Sequence, residues 1–80
     1  MPQRYFFHIR KHNHLQLDPE GVELPSHTAA LEEAVEAARE LLAVKVRNGE
    51  VVNGDQFEIT DEKGQIIHVL PFRSVLRLKD

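Results

Sequence analysis

The chain has 80 residues, of which 41% are hydrophobic, with no cysteine and a formal net charge of −3. That length suits one domain spanning residues 1–80, near the lower limit at which a single core sustains itself. The missing cysteine excludes disulfides, thiol catalysis and zinc–thiolate sites, and a small secreted domain would normally need such staples, so we expect a cytoplasmic protein. No stretch approaches the roughly 18 apolar residues of a membrane span, and the opening Met1-Pro2-Gln3-Arg4 has no signal-peptide character, so no membrane partner is expected. The charge is segregated: Arg4, Arg10 and Lys11 near the start and Arg73, Arg77 and Lys79 near the end are cationic, whereas twelve of the thirteen acids lie between Leu15 and Leu70.

The first predicted element is a strand over residues 4–11. Successive strand side chains point to opposite faces, so Tyr5, Phe7 and Ile9 share one face and Phe6 and His8 the other. Both faces are therefore apolar, unlike the alternation of a sheet with one solvated side. The polar turn Lys11-His12-Asn13-His14 leads to a weaker strand around residues 15–17. It breaks at Asp18-Pro19-Glu20-Gly21 and resumes over residues 22–24, a pattern that suits an edge strand.

A helix over residues 26–47 follows, with Ser26 placed to cap its first turn and Asn48-Gly49 to stop it. Leu31, Ala34, Val35, Ala38, Leu41, Leu42 and Val46 form its apolar stripe, with Ala30, Ala37 and Val44 as a second, shallower row. The row Glu32, Glu36 and Glu40 reads as a solvated face. Asn53-Gly54 marks a turn, residues 56–60 alternate with Phe57 and Ile59 inward and Glu58 and Thr60 outward, and Asp61-Glu62-Lys63-Gly64 is a hairpin loop. A last strand over residues 65–70 is again apolar on both faces and closes at Pro71. Phe72, Val75 and Leu76 then space one helical turn.

The predicted fold is α+β: a ββαββ two-layer sandwich with a four-stranded sheet and one long helix on one face. Strands apolar on both faces belong in the centre, which predicts the sheet order 2-1-4-3, with 2-1-3-4 as the alternative. Phe7 and Leu41 are expected to be buried between sheet and helix.

Chemistry is sparse. His12-x-His14 could chelate a metal from a loop, but such a site needs three or four ligands, so no metal site is expected. Ser26 is absorbed as a cap, Ser74 has no base nearby, and the glycines are explained by turns. We therefore expect no enzymatic activity, no cofactor and no catalytic residue. Phe6, His8, Ile66, His68 and Leu70 form the candidate interface on the face the helix cannot cover. Two-fold pairing of that patch would make a homodimer, and two interfacial histidines would loosen it as pH falls toward about 5. A hetero-partner protein is the other occupant. The alternative function is nucleic-acid or anion binding by Arg4, Arg10, Lys11, Arg73, Arg77 and Lys79. The acidic balance and the absence of a nucleic-acid motif argue against it.

Four segments in order carry a resemblance: P-x-R-Y-F-F-H-I (Pro2 to Ile9), D-x-E-G-V-E-L-P (Asp18 to Pro25), F-E-I-T-D-E-x-G (Phe57 to Gly64) and V-L-P-F (Val69 to Phe72). Together they resemble an uncharacterised family of short bacterial proteins classed as a domain of unknown function. The resemblance implies a compact bacterial cytoplasmic domain and carries no activity or ligand with it. A looser similarity, through the aromatic first strand and the helix start Thr28-Ala29-Ala30-Leu31-Glu32-Glu33-Ala34, is to the antitoxin-type partial ribonuclease-H-like domains. It implies a regulatory module by analogy alone.

Overall fold

A computed structural model describes residues 2–50 and 54–75. Asn53, Leu76, Arg77 and Lys79 lie outside the described residues. Strand β1 (Gln3–Lys11) turns at His12, which adopts φ 42°, into the short β2 (His14–Gln16). Strand β3 (Val22–Leu24) follows, then helix α1 (His27–Arg47), β4 (Gln56–Thr60), β5 (Ile66–Pro71) and a 3₁₀ turn over Phe72–Val75.

Among the described residues the fold is α+β, with one helix and an open, antiparallel, five-stranded sheet in the order β2-β1-β4-β5. Strand β3 pairs with the first half of β1 (Tyr5 opposite Val22), and β2 pairs with its second half (Arg10 opposite Leu15). The interrupted edge strand read from the sequence is thus two strands, which makes five rather than four.

The expected order 2-1-4-3 is not the observed one. β4 is central, paired with β1 on one side and β5 on the other, which corresponds to the alternative 2-1-3-4. Clean alternation along β4 suits an edge only where Glu58 and Thr60 face water. Both are buried. Their side chains meet polar partners on β1 instead of solvent.

Ser26 caps α1 by accepting a hydrogen bond from the Ala29 amide at 3.1 Å, and Gly49 takes φ 72° just past the C-cap Asn48. The helix buries Ala30, Ala34, Ala38 and Leu42, one row at four-residue spacing. Three of the four are alanines, so the helix backbone lies close over the bulky sheet residues Tyr5, Phe57 and Ile59 and over Phe72 of the 3₁₀ turn. Burying each Phe or Ile side chain stabilises the fold by roughly 1.5–3 kcal/mol. Phe57 anchors the cluster, edge-to-face with Phe7 at 5.9 Å and with Phe72 at 4.8 Å.

Phe7 and Leu41 pack against this core but are half-buried rather than buried, and Val46 is exposed. A row at four-residue spacing drifts around a helix of 3.6 residues per turn, so Val46, one step past Leu42, is turned off the sheet.

Candidate functional site

The face of the sheet opposite α1 carries Phe6, His8 and Arg10 of β1. By register it also carries their partners Thr60, Glu58 and Gln56 of β4, and then Ile66, Val69 and Pro71 of β5. The expected apolar patch is therefore split. Its centre is polar, and its apolar part lies along β5.

The centre is held by the break in the edge strand. Between β2 and β3, β1 would be left with an unpaired amide at Phe7, and the Asp18 carboxylate accepts it through Oδ2 at 3.1 Å. The other oxygen, Oδ1, accepts the amides of Glu20 at 3.3 Å and Gly21 at 3.2 Å, an Asx turn that folds the loop back over the sheet. The Asp18 amide donates to His8 Nδ1 at 3.0 Å. That nitrogen must therefore accept, so the neutral ring carries its proton on Nε2, 3.3 Å from Thr60 Oγ1.

Gly21, at φ 69°, completes the cover. A Cβ there would stand 2.8 Å from the Tyr5 carbonyl oxygen and 2.9 Å from the Phe6 ring. Phe6 in turn stacks on His8, with centroids 6.2 Å apart and planes 14° from parallel.

The neighbouring pair is Arg10 and Glu58, with Nε to Oε2 at 2.9 Å and Nη2 to Oε1 at 3.4 Å. Gln56 Nε2 also donates to Glu58 Oε2 at 3.4 Å. The Arg10 hydrogen bond holds the Glu58 carboxyl below the usual glutamate value against the opposing effect of burial. At Asp18, burial works to raise the pKa. The amides of Phe7, Gly21 and Glu20 outweigh it and hold the carboxyl below its usual value. Among the described residues no buried side-chain nitrogen or oxygen lacks a partner. The network is closed: both Asp18 oxygens, both His8 ring nitrogens and both Glu58 oxygens are engaged within the protein.

The five residues of the candidate interface do not form one patch. Phe6, His8 and Ile66 share the face opposite the helix. Leu70 lies opposite Phe57 and is buried in the core, and His68 lies opposite Ile59, on the helix side, where it is exposed. The two imidazoles of His8 and His68 are thus on opposite faces, because a register shift between Ile59 and Thr60 inserts Ile67 as a bulge and offsets the alternation along β5. Val69, which sequence reasoning missed, joins Ile66 on the open face. Both are exposed, at 41% and 56%. The signal available for Val69 was its spacing from Ile66, but that spacing is three, and only a bulge puts such residues on one face.

Among the described residues the cations of the alternative reading do not converge. Arg4 and Arg10 share a face but are six residues apart on one strand, about 20 Å at the usual rise. Lys11 points to the other face, and Arg73 follows β5 at the Arg10 end of the sheet. Arg10 is committed to Glu58, and Arg4 Nη1 donates to the Glu20 carbonyl at 2.8 Å. Among the described residues no group of three or more His, Cys, Asp or Glu is gathered to hold a metal, His12 and His14 included, and no helix is long and apolar enough to cross a membrane.

A single helix over an antiparallel sheet, with a closed polar network on one face and an apolar rim at one edge, defines a small α+β domain built around strand pairing. Residues 4–73 match the family described as Domain of unknown function (DUF6894), and the chain belongs to that family. No curated protein and no solved structure matches the chain.

Proposed function

We propose that this protein is a non-enzymatic binding module that acts by self-association, with the β5 rim as its contact surface. The observation that carries the reading is the exposure of Ile66 and Val69 side by side on an edge strand, on a face whose other members are already satisfied within the chain. A catalytic site needs groups free to meet a substrate, and the titratable groups of this face are spent on one another. Two-fold pairing of one patch is the commonest way a small protein covers such a surface. It also compensates for the thin core of an 80-residue chain. A cytoplasmic, reducing setting suits a chain without cysteine.

Sedimentation velocity across the micromolar range tests this. The weight-average sedimentation coefficient should rise with concentration toward that of a dimer, and Ile66→Glu should hold the chain at the monomer value. A parent chain that stays monomeric throughout the range overturns self-association.

A further inference from the structure

The hydrogen-bond phase of β5 shows which of its backbone groups are free. The Phe72 amide donates to the Asp55 carbonyl at 3.0 Å, in the same register that sets Leu70 opposite Phe57. Bonded pairs alternate along an antiparallel ladder, so Phe57–Leu70 and Ile59–His68 exchange both bonds. The N–H and C=O of Val69 then point away from β4, to the open side. At the other end the Asp61 amide donates to the Gln65 carbonyl at 3.0 Å, which turns Ile66 outward as well. Pro71 sits at the next outward position after Val69, where the missing N–H leaves β4 undisturbed.

This edge lacks charged guards. Residues 65–72 contain no Lys, Arg, Asp or Glu, whereas edge strands of monomeric proteins are commonly protected by charge. The guards it does have are the bulge at Ile67 and the missing N–H of Pro71, which leave Val69 as the residue between them with both backbone groups directed outward.

We propose that β5 pairs antiparallel with β5 of a second copy about a two-fold axis through Val69, joining two sheets into one. This rests on the self-association proposed above and names its geometry. Three features select a second copy as the occupant. Val69 offers both a donor and an acceptor outward, so two Val69 residues facing each other exchange two hydrogen bonds. Around that axis Val69 meets its own counterpart and His68 meets Leu70 of the other copy, so no like charges are opposed. The far edge of the sheet is broken and plugged by Asp18, so the assembly closes at two instead of extending.

Two variants test the geometry. Val69→Pro removes only an outward N–H, as Pro71 already does, so the monomer should melt like the parent. Self-association should weaken roughly 30-fold, about 2 kcal/mol at 1.4 kcal/mol per decade, for the two lost bonds. The chain has no native cysteine, so Val69→Cys is a single-thiol probe. Facing residues of a bonded pair lie about 5.5 Å apart, within disulfide reach, and mild oxidation should give a covalent dimer. Ile66→Cys should not, because the two copies of that residue lie roughly 20 Å apart about this axis. A parent that associates while Val69→Pro associates equally well, or while Ile66→Cys cross-links and Val69→Cys does not, overturns the edge pairing and leaves self-association standing. A monomeric parent overturns both.

Discussion

The two edges of this sheet meet the same physical problem with opposite solutions. An edge strand exposes unpaired amides and carbonyls that invite another strand. On the β2/β3 side the chain interrupts itself, and the Asp18 carboxylate takes up the Phe7 amide that the gap would leave free. The loop then closes over Phe6, with Gly21 admitting the approach. On the β5 side no described residue folds back: the strand holds no Lys, Arg, Asp or Glu, and Ile66 and Val69 face solvent. The difference teaches that closing an edge takes a specific constellation: an acceptor at the right gap, a residue that tolerates positive φ, and a polar neighbour to receive the loop's own amide. Where those are absent, as along β5, the edge keeps outward-facing backbone groups.

The largest expected effect is at the closed edge. Gly21→Ala places a Cβ in contact with backbone at a positive φ, adding backbone strain to overpacking, about 2–5 kcal/mol together. In a domain whose whole stability is about 5 kcal/mol, the variant should lose a large part of it, read as a marked fall in the midpoint of a denaturant titration. Gly64→Ala is the control on the hairpin leading to the open edge. It has a similar φ of 81° but nothing within 4 Å of the new Cβ, so it should lose only about 1 kcal/mol. Equal losses at the two sites would show that the closed edge is not closed by contact.

Next comes the plug. Asp18→Ala leaves the amides of Phe7, Glu20 and Gly21 without their acceptor, which should cost about 2–3 kcal/mol. Hydrogen exchange at the Phe7 amide should accelerate well beyond the global change. Val69→Lys, by contrast, should change monomer stability by less than about 0.5 kcal/mol, as expected of an exposed site, while altering association.

Acid should separate the edges again. Asp18 and Glu58 both titrate below their unfolded values, so the folded chain binds fewer protons than the unfolded one through that range. Their contribution to stability is therefore complete above the ordinary carboxylate range, near about pH 4, and is lost as pH falls through the folded values. Thermal melts should fall with acid in the parent and fall less steeply in Asp18→Asn. A variant with the parent's full acid slope would mean the plug contributes nothing to it.

Much of the fold is legible because its signals are local. Ser26 before an apolar-periodic run starts the helix where capping physics requires, Asn48-Gly49 ends it, and Asp18-Pro19-Glu20-Gly21 breaks the edge strand. The candidate site was half legible. Phe6, His8 and Ile66 lie on the face opposite the helix, whereas Leu70 and His68 were displaced by a bulge that no residue in Gln65-Ile66-Ile67-His68 announces. The burial of Glu58 and Thr60 is not legible in β4, because alternation reports only that a face is not apolar. It does not say whether that face meets water or the polar side chains of a neighbouring strand.

The sequence by itself thus determined the helix, the turns, the extent of β4 and the break in the first edge, since each depends on the dihedral and hydrogen-bond preferences of a few adjacent residues. Only the tertiary structure decided that β4 lies at the centre, that Arg10 meets Glu58, and that β5 is the edge strand opposite β2 and β3. Any strand's backbone can pair with any other. Which one it meets is settled by the register and shape of the whole sheet, a property of residues distant in the chain.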